Sequence, residues 1–203
     1  MPIRMFVCLT MFLVFAATCA GQQTTGIGSA AGETKKEIVR VIEPPTSYEE
    51  VGQAEISYFS GSDITEIRTE WPVYRGERMT ASMWFVLTAK GRSQLRPTAV
   101  AVNIGFNGEK GRLETLVGFA LEVADKSVNL DDLTVDGVGY DLTAKRFFKS
   151  MHGSVSFETF ENLVKSRSIR VRSGNIVFEL SKNNRNALRD MLRAIQQKSN
   201  HPL

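Results

Sequence analysis

Short runs of alternating hydrophobic and polar residues occupy the chain from Ala54 onward. In TAVAVNIGF (98–106), every second residue from Val100 to Phe106 is large and apolar. A period of two residues predicts a strand with one face on a hydrophobic core. Similar runs predict further strands, because they are rich in Val, Ile, Thr, Phe and Tyr and are bounded by Gly, Asn, Asp or Pro. These strands are predicted at 54–60, 65–74, 77–89, 115–123, 127–130, 133–143 and 154–158.

These strands do not alternate with long helices, so the pattern argues against a parallel α/β sheet. We therefore predict a mainly β fold, either an antiparallel β-sandwich or a partly open barrel. It should form one domain over residues 51–200, preceded by a polar linker over 21–50 that contains Pro44-Pro45.

Helical periodicity is confined to the C-terminal third of the chain. The run FETFENLVKS predicts a short helix near 157–166, with its phenylalanines and Leu163 on one side. A longer helix is predicted near 182–197, with Ser181 as its N-cap residue. Its apolar stripe consists of Leu188, Met191, Leu192 and Ile195, with Ala187 at the edge.

A hairpin is predicted just before the longer helix. Gly174-Asn175 fits a two-residue type II′ turn, which sets Arg170 opposite Glu179 and Val171 opposite Phe178. A slip of one residue would turn a whole apolar face towards solvent, so the register is well specified. We expect the apolar members of the hairpin and helix to be buried, including Val171, Phe178, Leu188 and Leu192.

The segments ETFENLVKS, GNIVFEL and NALRDML succeed one another over residues 155–195. In this order they resemble the C-terminal pattern of uncharacterised exported β-rich proteins of bacteria, and the resemblance extends more weakly from Tyr58. It implies a β-rich fold and export. It implies no activity, because the shared motifs are packing motifs.

The N-terminus has the features of a secretory signal peptide over residues 1–20. Arg4 precedes an apolar run from Met5 to Ala17; as a helix this run would span about 20 Å, short of the ~30 Å hydrocarbon core of a bilayer. Cleavage after Ala20 would release a free protein. A lipobox-like stretch ending at Cys19 would instead give a lipoprotein. The expected location is therefore periplasmic or extracellular, with membrane attachment only through a lipid on Cys19.

Cysteine and histidine are scarce. The two cysteines, Cys8 and Cys19, lie in the leader, and the two histidines are His152 and His201. Disulfides, cysteine-ligated zinc and a thiol nucleophile are therefore not expected in the folded domain. We expect no cofactor and no metal. The formal net charge of +3 gives no reason to expect a nucleic-acid partner.

Positive charge is concentrated towards the C-terminus. Residues 145–203 contain twelve Lys and Arg against four Asp and Glu. Arg185, Arg189 and Arg193 recur every fourth residue and form a basic stripe on the predicted helix. Such a stripe is usually a solvated face, so we expect these three arginines to be largely exposed. The alternative is a surface that binds an anionic envelope component. These three arginines are the candidate binding residues.

Familiar chemical motifs fit the chain poorly. The glycines of GFNGEKG (105–111) do not have dinucleotide-loop spacing, so we predict instead a hairpin loop that joins the strands at 98–106 and 115–123. DDLTVDG (131–137) lacks the closing glutamate of a calcium loop. We expect an exported envelope protein that acts as a binding or structural module. The alternative is a secreted hydrolase that uses two carboxylates, for which the possible residues are Glu66, Glu70, Glu77 and Asp141.

Export can be tested on the natural protein by intact-mass measurement. The mature chain should lack residues 1–18 or 1–20, because the apolar run is followed by small residues suited to cleavage. Palmitate labelling that requires Cys19 would identify the lipoprotein form, and a start at Gly21 would identify the free form. Recovery of the full-length chain from the cytosol would contradict export.

Overall fold

The computed structural model describes residues 45–200 except positions 94, 96 and 125. The predicted signal peptide, Cys19 and most of the predicted linker lie outside the described residues. The described elements are the strands β1 (Ser47–Val51), β2 (Ala54–Phe59), β3 (Ile64–Arg75), β4 (Met79–Lys90), β5 (Ala99–Gly108), β6 (Ala120–Val123), β7 (Lys126–Val128), β8 (Asp131–Val135), β9 (Gly139–Asp141), β10 (Arg146–Ser156), β11 (Arg170–Ser173) and β12 (Ile176–Glu179), and the helices α1 (Lys110–Glu114), α2 (Phe157–Lys165) and α3 (Lys182–Asn200).

The strands form two antiparallel sheets, as the mainly β prediction required. The large sheet has eight strands in the order β1-β2-β3-β4-β5-β10-β8, with β9 also paired to β10. The small sheet has the order β12-β11-β6-β7. The large sheet does not close into a barrel, since β1 lies at one edge and β8 and β9 lie at the other.

One face of the large sheet forms the hydrophobic core. Alternate residues of each strand point to this face, so the directly opposed Met83, Ile104 and Met151 of β4, β5 and β10 are all buried. The four apolar residues predicted in β5 are also buried. The three helices, the small sheet and connecting segments that contain Leu95, Leu116 and Phe119 supply the other apolar side chains of this core.

Helix α3 begins as the sequence predicts. The hydroxyl of Ser181 accepts a hydrogen bond from the backbone N–H of Asn184 at 3.2 Å. In return, the side-chain oxygen of Asn184 accepts from the Ser181 N–H at 2.9 Å. This reciprocal pair has the form of a capping box, with asparagine in place of the usual glutamate or glutamine. It joins the end of the predicted hairpin to the helix that covers the core.

A single carboxylate fastens α3 to the turn between β1 and β2. Asp190 is buried on α3 and accepts a hydrogen bond from the Gln53 N–H at 3.0 Å. It also accepts a hydrogen bond from the guanidinium group of Arg193. Gly52 precedes this contact with φ +64°, and a Cβ there would collide with the Asp190 carboxylate. The turn therefore requires glycine for both its conformation and its space.

The hairpin prediction is confirmed in its register. Arg170 lies opposite Glu179 and Val171 lies opposite Phe178 across β11 and β12. Gly174 has φ +55°, as the first central residue of a type II′ turn requires. Val171 is buried, but Phe178 is only half-buried because β12 is the edge strand of the small sheet. In α3, Leu188 is buried and Leu192 is half-buried.

Two local predictions were wrong. The segments 98–106 and 115–123 do not form a hairpin, because β5 pairs with β4 and β10 while β6 belongs to the small sheet. The strand prediction at 154–158 missed most of β10, which starts at Arg146. Its core-facing positions include Lys149 and Gly153, which interrupt the apolar alternation.

Replacement of Gly52 should be costly. Gly52→Ala should lower the free energy of unfolding by about 2–4 kcal/mol, since it adds left-handed strain and displaces a hydrogen bond to a charged group. The matched control is Gly137→Ala, where a Cβ meets no atom within 4 Å; it should change stability by less than about 0.5 kcal/mol. Urea denaturation measures both, and equal stability of the two variants would contradict the role of this turn.

Candidate functional site

The arginines of the basic stripe on α3 form hydrogen bonds and ion pairs within the fold, which their sequence spacing does not predict. Arg185 is only partly exposed, although we expected it to be largely exposed. Its guanidinium donates to the carbonyl oxygen of Leu180 at 2.5 Å and lies 3.7 Å from Glu179. Arg185 therefore connects the start of α3 to the end of β12.

The other two arginines of the stripe are exposed, as predicted. Arg189 donates to the side-chain oxygen of Asn186 at 2.8 Å. Arg193 pairs with the buried Asp190 that holds the β1–β2 turn. Each arginine of the stripe is thus paired with a group that lies only a few residues away in the sequence.

The arginines of the small sheet are also paired. Arg172 donates to Glu122 of β6 at 2.7 Å, and Arg170 lies 3.4 Å from the same carboxylate. The hydrogen bond from Arg172 is the main reason that the pKa of the Glu122 carboxyl is lowered; the charges of Arg172 and Arg170 act in the same direction, and burial opposes them. Glu122 therefore holds β6 to β11 through two cations.

A second set of basic residues surrounds a depression where β4, β5 and β10 meet. We call it the basic depression. It has a volume of about 430 Å³. Three chain segments that are far apart in sequence contribute its lining, which consists of Glu77, Arg78, Gly108, Glu109, Lys110, Lys145, Arg146 and Phe147.

Close strand pairing forms the floor of the basic depression. Gly108 lies directly opposite both Met79 of β4 and Phe147 of β10. A Cβ at Gly108 would approach the carbonyl oxygen of Arg78 to 2.6 Å, so glycine permits this close packing. The N–H of Glu109 then donates to the same carbonyl at 3.3 Å.

A tight turn between β9 and β10 positions the basic residues on one side. The carboxylate of Asp141 accepts hydrogen bonds from the N–H groups of Thr143 and Ala144 at 2.8 and 2.9 Å. Lys145 follows with a left-handed φ of +52°. Strain of this kind persists only where the surroundings impose it, and it occurs often at binding sites.

The basic residues of the depression differ in their pairing. Arg78 lies 3.8 Å from Glu109, and Lys110 lies 3.8 Å from Glu114. Lys145 and Arg146 form no ion pair with any residue of the described chain, although the backbone of Asp141 is opposite Arg146 in the β9–β10 pairing. Two cations beside the depression are therefore free to meet an anion.

The outer face of the large sheet carries a row of carboxylates. Glu66 and Glu70 project from β3 on either side of Arg68, which pairs with Glu70. Burial is the main cause of a raised pKa at the Glu66 carboxyl; the charge of Arg68 lowers this pKa and that of Glu55 raises it. The four carboxylates considered for a hydrolase are therefore dispersed. Glu66 and Glu70 lie on the outer face of β3. Glu77 lines the basic depression, and Asp141 stabilises the β9–β10 turn.

A serine, a histidine and an aspartate also meet on the outer face. The Ser150 hydroxyl donates directly to Asp136, and the Nδ1 atom of His152 lies 3.9 Å from the same carboxylate. His152 therefore has a partner, which the sequence did not indicate. In a nucleophilic triad the histidine stands between serine and aspartate, whereas here the aspartate stands between the other two.

Residues 45–200, apart from positions 94, 96 and 125, contain no group of three or more His, Cys, Asp or Glu side chains arranged to hold a metal ion. No helix in the same residues has the length and apolar character needed to cross a membrane. Asp131, Asp132 and Asp136 of the sequence DDLTVDG thus lie on and after β8 without forming such a group.

Comparison with known proteins gives no relative: no family model, curated protein or solved structure matches this chain.

The raised pKa of Glu66 predicts a pH-dependent stability. Between 4.5 and the raised pKa, the native state keeps a proton that the unfolded state loses, so stability falls as pH rises through this window. Glu66→Gln removes this loss and should raise Tm by about 1–2 °C at about pH 7, with no difference at about pH 3.

Glu122→Gln is the control for this experiment, because its expected change in Tm at neutral pH has the opposite sign. The lowered pKa of Glu122 stabilises the fold above 4.5, and this stabilisation is lost as pH falls through the lowered pKa. The substitution should therefore lower Tm at about pH 7 and have a smaller effect at about pH 3. Thermal melts across this range measure both variants, and the same sign for both at neutral pH would contradict the two assignments.

Proposed function

We propose that this chain is an exported binding module without catalytic activity, and that it binds an anionic component of the cell envelope in the basic depression. The observation that carries the proposal is the meeting of four basic side chains around one concave surface, two of them unpaired within the described chain. An anion in the depression would complete the pairing of Lys145 and Arg146.

The types of side chain in the depression suit an anionic oxygen ligand. The guanidinium groups of Arg78 and Arg146 can each present two parallel N–H donors to a carboxylate or phosphate. Lys110 and Lys145 add flexible ammonium groups. The four cations outnumber the carboxylates of Glu77 and Glu109, so the lining retains positive charge after internal pairing.

The hydrolase alternative has one supporting observation, the raised pKa of Glu66. A carboxyl with a raised pKa can serve as a general acid. A glycoside hydrolase, however, needs two carboxyl groups facing each other across the bond to be cleaved. Glu66 and Glu70 are neighbours on one face of one strand, with Arg68 between them. This arrangement favours binding over hydrolysis.

The location in the envelope follows from the leader sequence. The expectation is a periplasmic or extracellular protein, freed by cleavage after Ala20 or held to the membrane by a lipid on Cys19. A binding module in this compartment would meet anionic envelope components such as phosphate-bearing lipids and polymers. The proposal names this class of partner and no nucleic acid.

Calorimetry with pyrophosphate at low salt tests the proposed site. The double variant Lys145→Ala/Arg146→Ala should bind pyrophosphate at least about tenfold more weakly than the natural chain, since a hydrogen bond to a charged group contributes about 1.5–3 kcal/mol. The double variant Arg189→Ala/Arg193→Ala removes the same charge from the basic stripe of α3. It should bind pyrophosphate as the natural chain does, within about twofold.

Thermal melts establish that both double variants are folded before binding is compared. Equal weakening of binding by the two double variants would indicate a response to net charge alone. Loss of binding only in the Arg189→Ala/Arg193→Ala variant would show that pyrophosphate binds to the basic stripe of α3 instead. Either result would contradict the proposal.

A further inference from the structure

An exposed apolar turn lies beside the basic depression. The turn between β9 and β10 runs from Leu142 to Lys145. Leu142 is 82% exposed, which is the largest value among the exposed large apolar residues of the described chain. Tyr140, on the strand before the turn, is 49% exposed. A leucine this exposed at the tip of a turn contributes little to the folded core.

The apolar residues of this turn are fixed to the wall of the depression. The ring of Tyr140 contacts that of Phe147 edge-on, with 4.9 Å between their centroids. Phe147 lines the depression and follows Lys145 and Arg146 directly. Apolar and basic groups therefore project from one hairpin, whose turn is closed by the hydrogen bonds to Asp141.

This combination matches the chemistry of an anionic membrane surface. Lipid phosphates attract basic residues within a Debye length of the surface. Leucine can enter the boundary between headgroups and acyl chains, and tyrosine is common at this level because it has an apolar body and a polar tip. A soluble phosphate compound would use the cations and would leave Leu142 without a role.

We propose that the β9–β10 turn and the basic depression form one docking surface for a membrane that contains anionic lipids. Leu142 and Tyr140 enter the interface, and Lys145 and Arg146 bind lipid phosphates. The inference rests on the proposed function and names the partner of the same site. The carboxylates that face this surface are Glu77, Glu109 and Asp141. Glu109 lies 3.8 Å from Arg78, and Asp141 accepts hydrogen bonds from backbone N–H groups, while Glu77 lines the depression among the four cations.

Vesicle co-sedimentation tests the inference. Vesicles of phosphatidylcholine with about one-third phosphatidylglycerol are compared with pure phosphatidylcholine at low salt. The full chain is used with Cys19→Ser in every sample, so no lipid on this residue contributes. All samples share the same leader, so differences between variants arise from the substituted residues.

The full chain should prefer the anionic vesicles. Arg146→Ala should weaken partitioning to them roughly fivefold, the contribution of one basic residue at an anionic surface. Leu142→Ser should weaken it roughly tenfold by removing a buried apolar side chain. Val177→Ser, which replaces an exposed valine of the small sheet, is the matched control and should have no effect.

Each result has a distinct meaning. Weakening by Leu142→Ser and Arg146→Ala, with none by Val177→Ser, supports membrane docking. Membrane docking is overturned, and the proposed function is left intact, if pyrophosphate binding depends on Lys145 and Arg146 while Leu142→Ser partitions to vesicles as the chain with Cys19→Ser alone does. If neither pyrophosphate nor vesicles respond to Lys145 and Arg146, both proposals fail.

Discussion

The burial of only one face of the large sheet is the constraint on which the rest of the described domain depends. An eight-stranded antiparallel sheet that alternates apolar and polar residues needs a cover on its apolar face. Helices α2 and α3 and the small sheet provide that cover. Asp190 fixes α3 to the turn at Gln53, and the pairing of Ser181 with Asn184 fixes the start of the helix. The outer face and the strand ends are left to carry polar and charged groups.

Two groups of basic residues in the described part of the chain differ in their surroundings. In β11, Arg172 is bonded to Glu122 of β6, and in α3 Arg185 lies close to Glu179 of β12, so these two connect different elements. Arg189 and Arg193 are paired with Asn186 and Asp190 of their own helix. Lys145 instead ends a turn in a left-handed conformation, and Arg146 follows it, at the rim of a depression. Neither forms an ion pair in the described chain. Regular spacing drew attention to the stripe on α3. Pairing, which sequence spacing does not reveal, distinguishes a structural arginine from one available to a ligand.

Sequence periodicity predicted the parts of the fold where local pattern and burial agree. The alternation in β5, the turn at Gly174 and the N-cap at Ser181 all depend on neighbouring residues, and all three were predicted. Strand β10 was largely missed because Lys149 and Gly153 occupy core-facing positions. The basic depression could not be assembled from sequence, since Arg78, Gly108 and Arg146 meet only through strand pairing. Its one local signal was the basic and aromatic run KRFFKSMH at 145–152.

The central claim is that the basic depression, and not the stripe on α3, is the anion-binding surface of this domain. The most direct measurement is a titration of the isotopically labelled chain with inorganic phosphate, followed through its backbone amide resonances. The account predicts saturable shifts that cluster at residues 77–78, 108–110 and 145–147, where the lining segments meet. Shifts confined to residues 185–193 of α3, or small shifts spread evenly over every basic segment, would contradict it.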